Sequence, residues 1–312
     1  MIAWLLAGLF TFVELNCENL FDCINDSLKN DEEFLSDGSY SWTRTRYWQK
    51  LNRVGQTIVA CGGEGSTQAL PDLVALCEVE SDTCLFDLTR RSLLRSARYE
   101  YVMTHSPDLR GVNVALLWSP FTFRLLSYTS LRVDPVKNLP PTRDVLYVSG
   151  KTKAGDTLHV FVVHAPSRLG GGNAETYRKR VSLRICAAID SIRQIQPTAH
   201  ILVAGDFNAY SKEKSIKLLQ NTANLTDISE GACGKNGAKA TYRYRGEWRS
   251  LDHILISASL QPLLHKCFIN DAPFLMEDDE KYGGKRPFRT YLGPRYMGGF
   301  SDHLPLVAQF EW

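Results

Sequence analysis

Residues 201–208 read ILVAGDFN. The apolar run Ile201–Ala204 predicts a buried strand, and Gly205 punctuates it. Asp206 and Asn208 follow at i and i+2, a spacing that puts both side chains on one face of an extended chain. One Asp or Asn at a strand end is ordinary turn or cap chemistry. The reading of the chain therefore turns on whether other strands end in the same way.

They do. The first apolar run gives Asn16 and Glu18, PDLVALCEVE gives Glu78 and LHVFVVHA gives His164. RSLDHILIS supplies Asp252 and His253, and GGFSDHLPLVAQF sets Asp302 and His303 just before the last strand. If these ends share one rim, several polar groups converge there, at a high desolvation cost without a metal or substrate. Carboxylates and amides without thiolate suit a hard cation, Mg²⁺ or Mn²⁺. Nearby histidines can donate to developing negative charge. The sequence has no G-x-x-x-x-G-K-[ST] loop, no G-x-S-x-G elbow and no H-E-x-x-H helix. Its GG-x-G at residues 62–65 follows a helical pattern, not a strand, and reads as a loop. The combination points to metal-assisted hydrolysis of a phosphate ester.

The rest of the chain supplies a scaffold. Strand-like runs recur throughout, some alternating with period two and some wholly apolar. Two helical stripes stand out: Leu51, Val54 and Ile58, then Val181, Ile185, Ala188 and Ile192. This mixture predicts two packed sheets with helices outside, an α/β sandwich. No Ser-, Pro- or Gly-rich linker divides the 312 residues, so residues 1–312 read as one domain. A net charge of +2 argues against a nucleic-acid coating protein but leaves room for a local basic patch. None of the eight cysteines forms a C-x-x-C pair, which argues against zinc, and a chain with a core this large does not need a disulfide framework. The apolar stretch Ile2–Phe10 is too short to span a bilayer. It lacks a preceding Lys or Arg and an A-x-A site, so it reads as the lead into a first strand, with a cytoplasmic location favoured over export.

NCENLFD, ALCEVE, VVHAPSRLGG, VAGDFNA, SLDHILIS and GFSDHLPLV, in that order, resemble the endonuclease/exonuclease/phosphatase superfamily, the deoxyribonuclease-I-like fold. The resemblance spans nearly the whole chain, and GDFN and SDHLP are its most specific parts. It implies a four-layered α/β sandwich with two central, mostly antiparallel sheets and helices on the outer faces. It also implies a divalent-metal-dependent phosphoric ester hydrolase. By position, Asn16, Glu78 and Asp302 would serve the metal, and Glu18 matches a more variable acidic position. Asp206 would align or deprotonate the attacking water, and Asn208 would hold a phosphate oxygen or the nucleophile. Asp252 would orient His303, which would donate to the phosphoryl group. His164 fills a slot taken by His in secreted nucleases. The phosphoinositide and sphingomyelin branches have substrate loops with no match here. The stretch before the final SDH resembles a bacterial branch instead.

The remaining residues divide less sharply. In the basic–aromatic stretch Lys285–Tyr296, Arg289 and Tyr291 are the expected substrate-binding residues. Arg110 is balanced between a turn and the rim. His253 should point away from Asp252, into packing or to the surface, and His105, His159, His200 and His265 read as structural. WTRTRYWQK, with Arg44, Arg46 and Lys50, fits a second basic–aromatic phosphate-binding stretch and a helix start equally, and YRKR at 177–180 an exposed helix face. The leading function is a phosphodiesterase or nuclease, with nucleic acid among the candidate substrates, acting as a monomer with no obligate protein partner. The alternatives are a phosphomonoesterase acting on an inositol phosphate, lipid headgroup or nucleotide, and a binding module that has lost its chemistry. The last is disfavoured because every matched catalytic position is filled.

Overall fold

The strand predicted from ILVAGDFN forms, and it alternates. Ile201 and Val203 face an outer helix, whereas Leu202 and Ala204 face a second sheet. The computed structural model describes residues 9–63, 69–137, 139–168 and 171–312. Most of the apolar N-terminal stretch and part of the GG-x-G loop lie outside the described residues.

Twelve strands build the two main sheets. In chain order they are β1 (Leu9–Leu20), β2 (Leu73–Val79), β3 (Glu100–Met103), β4 (Asn113–Trp118), β5 (Phe123–Leu131) and β6 (Val145–Thr152). They continue with β7 (Thr157–His164), β8 (His200–Asp206), β9 (Leu225–Asp227), β10 (Asp252–Ser257), β11 (Leu264–Ile269) and β12 (Leu306–Glu311). The α-helices are α1 (Arg44–Ala60), α2 (Asp82–Phe86), α3 (Gly171–Ile195) and α4 (Lys214–Asn221). One sheet has the order β11-β12-β1-β2-β4-β3 and the other β5-β6-β7-β8-β10-β9. Each contains one parallel pair, β1/β2 and β7/β8, among antiparallel neighbours. With helices outside both, the architecture is the expected α/β sandwich.

Three apolar layers hold it together. Phe12, Ala75, Leu116, Val160 and Ile254 fill the space between the sheets. Leu51, Val54 and Ile58 of α1 pack on Val13, Leu15 and Val74, as the helical stripe predicted. On α3 the buried stripe is Val181, Ile185 and Ile189, with Ala188 and Ile192 only half-buried. The exposed face expected at 177–180 is also corrected: Tyr177 and Arg178 are buried, the tyrosine hydroxyl donating to the Pro140 carbonyl and the guanidinium to Pro166. Polar tips over apolar stems let both residues pack inward. Among the described residues, no helix is long and apolar enough to cross a membrane.

Strand direction places the chemistry. Because β1 and β2 are parallel, as are β7 and β8, their C-terminal ends reach the same rim of their sheets. β10 and β12 run antiparallel to β8 and β1, so their N-terminal ends lie there too. Every strand end singled out in the sequence is therefore on one edge of the sandwich.

Candidate active site

Gly205 lets β8 come close to its parallel neighbour. A Cβ there would lie 1.9 Å from the Val163 carbonyl oxygen, and its φ is +144°. Only glycine tolerates both conditions. Asp206 then stands opposite Asp252 in the β8/β10 register. Asn208 does not reach Asp206 by strand alternation. It adopts a left-handed φ of 48°, and its N–H donates to Asp206 Oδ1 at 2.8 Å, closing an Asx turn. Its side-chain nitrogen donates to Asp206 Oδ2 and to the Ala165 carbonyl, both at 3.1 Å. Both amide hydrogens are thus committed, which leaves Oδ1 to meet a ligand.

Asp206 is buried and also receives Asn16 Nδ2 at 3.2 Å. Burial and then the charge of Asp252 raise its carboxyl to about 7, against the opposing pull of His303. A carboxylate near neutrality is suited to taking a proton. Asp206, Asp252 and His303 each offer an atom within 4.8 Å of the others. His303 Nδ1 lies 2.7 Å from Asp252 Oδ2, which also accepts from the Thr241 hydroxyl. Burial opposes charge on this imidazole, but Asp252, Asp302 and Asp206 outweigh it and hold it well above its ordinary value. The pair therefore favours a protonated histidine whose other nitrogen is turned from Asp252. His164 differs: burial and then Arg143 push it well below its usual value, and its Nε2 lies 3.7 Å from both Glu78 and Asp206. Its buried Nδ1 has no partner.

A third carboxyl lies beneath this group. Glu14, fully buried on β1, is raised well above its usual value by burial and then by Asp252 and Asp206. The fold holds its proton more tightly than the unfolded chain does. Its contribution to stability is thus complete below the unfolded value of about 4.3 and falls as pH rises toward the folded value, by up to about 1.4 kcal/mol per pH unit. Glu14→Gln removes this titration. Its melting temperature, relative to the wild type, should rise between about pH 5 and about pH 8. An offset equal at both would show Glu14 ionised in the fold.

The rim's second half is a cavity of about 220 Å³ lined by Glu18, Glu78, Asp302, Arg110, Arg289 and Tyr291, among others. Glu18 and Glu78 have left-handed φ values of 50° and 62°, next to register shifts in β1 and β2. Such bulges re-aim side chains and are held in place by their surroundings. Arg110 reaches the rim: its Nη1 lies 3.0 Å from Glu78 Oε1 and its Nη2 3.2 Å from Oε2. Burial alone would raise Glu78, but the Arg110 guanidinium holds it well below the usual carboxylate range. Glu18 rises to about 7 through burial and the nearby Asp302, and it accepts from the Thr290 and Tyr291 backbone amides at 2.5 and 3.3 Å. The carboxylates of this lining, with no thiolate among them, are the ligand type of a hard divalent cation, but they do not bring three ligand atoms within 4.8 Å of one another as Asp206, Asp252 and His303 do.

Other expected residues sit differently. Asn16 lies behind this cavity, its Oδ1 accepting from the Glu18 amide at 2.9 Å. Arg289 is at the rim but pairs with Asp302 at 2.9 Å and Glu18 at 3.4 Å. Tyr291 is buried, and its hydroxyl donates to the Tyr40 carbonyl at 2.9 Å. Its ring, rather than its hydroxyl, faces the cavity's aromatic wall. His253 points away from Asp252, with Nδ1 2.9 Å from Asp227 Oδ2 and Nε2 2.8 Å from the Ala209 carbonyl. Two acceptors need both nitrogens protonated, so this ion pair ties down the loop after Asp206. A larger cavity of about 600 Å³, around Asp22, Glu80 and His105, holds none of the expected residues.

The endonuclease/exonuclease/phosphatase family profile matches residues 11–311. The chain belongs to that family. No curated protein matches it. Among solved structures, a family member from Bacteroides thetaiotaomicron superposes with a TM-score of 0.63 at 14% identity, covering 97% of this chain and 98% of that one. The mannosyl-6-phosphatase from the same organism gives 0.61 at 15%, covering 97% and 100%. The human Nocturnin catalytic domain with bound sulfate gives 0.56 at 19%, covering 97% and 94%. For this endonuclease/exonuclease/phosphatase protein the general chemistry is phosphoric ester hydrolysis, and enzymes of the family generally use divalent metals.

One neighbour of the site escaped the sequence reading. Tyr242 packs against His303 at a tilt, ring centroids 4.8 Å apart and planes 32° off parallel. TYRYRGEWR carried the signal as an Arg-Gly turn between alternating aromatics, a hairpin pattern.

Proposed function

We propose that this protein is a Mg²⁺- or Mn²⁺-dependent phosphodiesterase that hydrolyses its substrate with a water positioned by Asp206. The observation that carries this reading is the buried, near-neutral Asp206 within 4.8 Å of the Asp252–His303 pair. Glu78 and Asp302, backed by Asn16, would hold the metal, which supplies charge stabilisation at a phosphoryl oxygen. Asp206 takes the water's proton, and Asn208 Oδ1 accepts a hydrogen from the same water. His303, charged and aligned by Asp252, donates to a phosphoryl oxygen. His164, neutral between Glu78 and Asp206, separates two carboxylates without adding charge.

The cavity favours a second reading, a phosphomonoesterase. A 220 Å³ space with two guanidiniums suits a terminal phosphate. Hydrolysis of bis-p-nitrophenyl phosphate and of p-nitrophenyl phosphate, with Mg²⁺ or Mn²⁺ and with EDTA, separates the two. Diester turnover abolished by EDTA is expected. Activity confined to the monoester would replace the first reading with the second, and no activity on either would remove both. Arg289→Ala should raise KM more than it lowers kcat, because the guanidinium borders the cavity without touching Asp206 or His303. Unchanged kinetics would remove Arg289 from substrate binding. A monomeric, cytoplasmic enzyme would keep its eight cysteines, five of them buried, as thiols.

A further inference from the structure

The hairpin of Tyr242–Tyr244 and Glu247–Arg249 stands directly on His303. Its turn residues Arg245 and Gly246 both have positive φ, 51° and 84°, the geometry of a tight two-residue connection. Paired residues share a face, so Tyr242 and its partner Arg249 point the same way, as do Tyr244 and Glu247. The opposite face is anchored. Arg243 donates to the Lys285 and Gly283 carbonyls, both at 2.7 Å, and pairs with Asp279 at 3.3 Å, while Trp248 packs on the inter-sheet core. The free face therefore has a fixed orientation.

Planar groups line it outward from the catalytic histidine. Tyr242 lies on the His303 ring. Tyr244, 40% exposed, has the guanidiniums of Arg249 and Arg245 at 4.8 and 5.2 Å from its ring centroid. Arg249 also meets Glu247 at 3.7 Å, a loose and exposed pair of little strength. A site for phosphate alone would need the cations and not the rings. Alternating rings and guanidiniums are what stacks a nucleobase and holds its neighbouring phosphates.

We propose that this face is a nucleobase subsite: a nucleotide whose phosphate lies at His303 seats its base against Tyr244 and Arg249. The inference rests on the phosphodiesterase reading and narrows its substrate to nucleotide esters. The test is calorimetric, on the full chain carrying Asp206→Asn with Mg²⁺, comparing thymidine 5′-monophosphate with ribose 5-phosphate. Both carry the same phosphate and only one carries a base. The nucleotide should bind at least about tenfold tighter. Adding Tyr244→Ala or Arg249→Gln should bring the two ligands within about twofold of each other, with unchanged melting temperature. Arg95→Gln, exposed elsewhere, should leave the preference intact. Equal binding of both ligands, no binding of either, or a preference that survives both hairpin substitutions overturns the subsite. If equal binding accompanies metal-dependent diester hydrolysis, the subsite falls and the hydrolase reading stands. A base preference in a protein that hydrolyses no phosphate ester supports the subsite and removes the hydrolase.

Discussion

Asp206→Asn should lower kcat by at least about 10²-fold while the protein stays folded, and His303→Ala should do the same. Positioned acid–base groups typically contribute about 10²–10⁴-fold, and the loss of one oxyanion donor costs about 10²–10³-fold. Asparagine keeps the shape of Asp206 but has no basic oxygen. It also faces the donors from Asn16 and Asn208 with an amide whose nitrogen cannot accept. His303→Ala removes the donor and leaves Asp252, already without a partner at Oδ1, with one fewer at Oδ2. Both groups would serve one transition state, so the double variant should lose much less than the product of the two effects. Single-turnover kinetics with matched thermal melts measure this. Near-wild-type kcat in either variant would remove that residue from the reaction, and a multiplicative double variant would show that the two contribute independently.

Glu78→Gln should abolish metal-stimulated activity. Losing a residue that merely orients a metal ligand typically costs about 10–100-fold in metal affinity, and losing a charged ligand should cost at least as much. Calorimetric titration with Mg²⁺ or Mn²⁺ reads this without any substrate. Arg110 makes the outcome informative, because its guanidinium now binds both Glu78 oxygens. A metal entering this site must displace or share that contact. Arg110→Gln should therefore tighten metal binding, the opposite direction to Glu78→Gln. Unchanged metal affinity in Glu78→Gln would move the metal elsewhere on the rim.

The sequence by itself determined which residues end the strands, and the fold followed from their pattern. Side chains alternate on any extended strand, so ILVA presents two apolar sides with no tertiary information, and packing alone decided that one meets a helix and the other a sheet. GDFN and SDH carried the residue types of the chemistry for the same local reason: a strand end needs a turn, and here the turn residues are also acids and bases. Only the tertiary structure decided how those ends meet. Parallel pairing of β1 with β2 and of β7 with β8, and reversal of β10 and β12, bring distant positions into contact, as Asn16 and Asp206, 190 residues apart, show. Burial then set the protonation that composition cannot show, raising Asp206 and Glu14, while the charge of Arg110 depressed Glu78 against its burial. The committed amide of Asn208, the reach of Arg110 to Glu78 and the packing of Tyr242 against His303 were likewise invisible in one dimension. Each depends on backbone bends and strand registers that are fixed only when the two sheets pack.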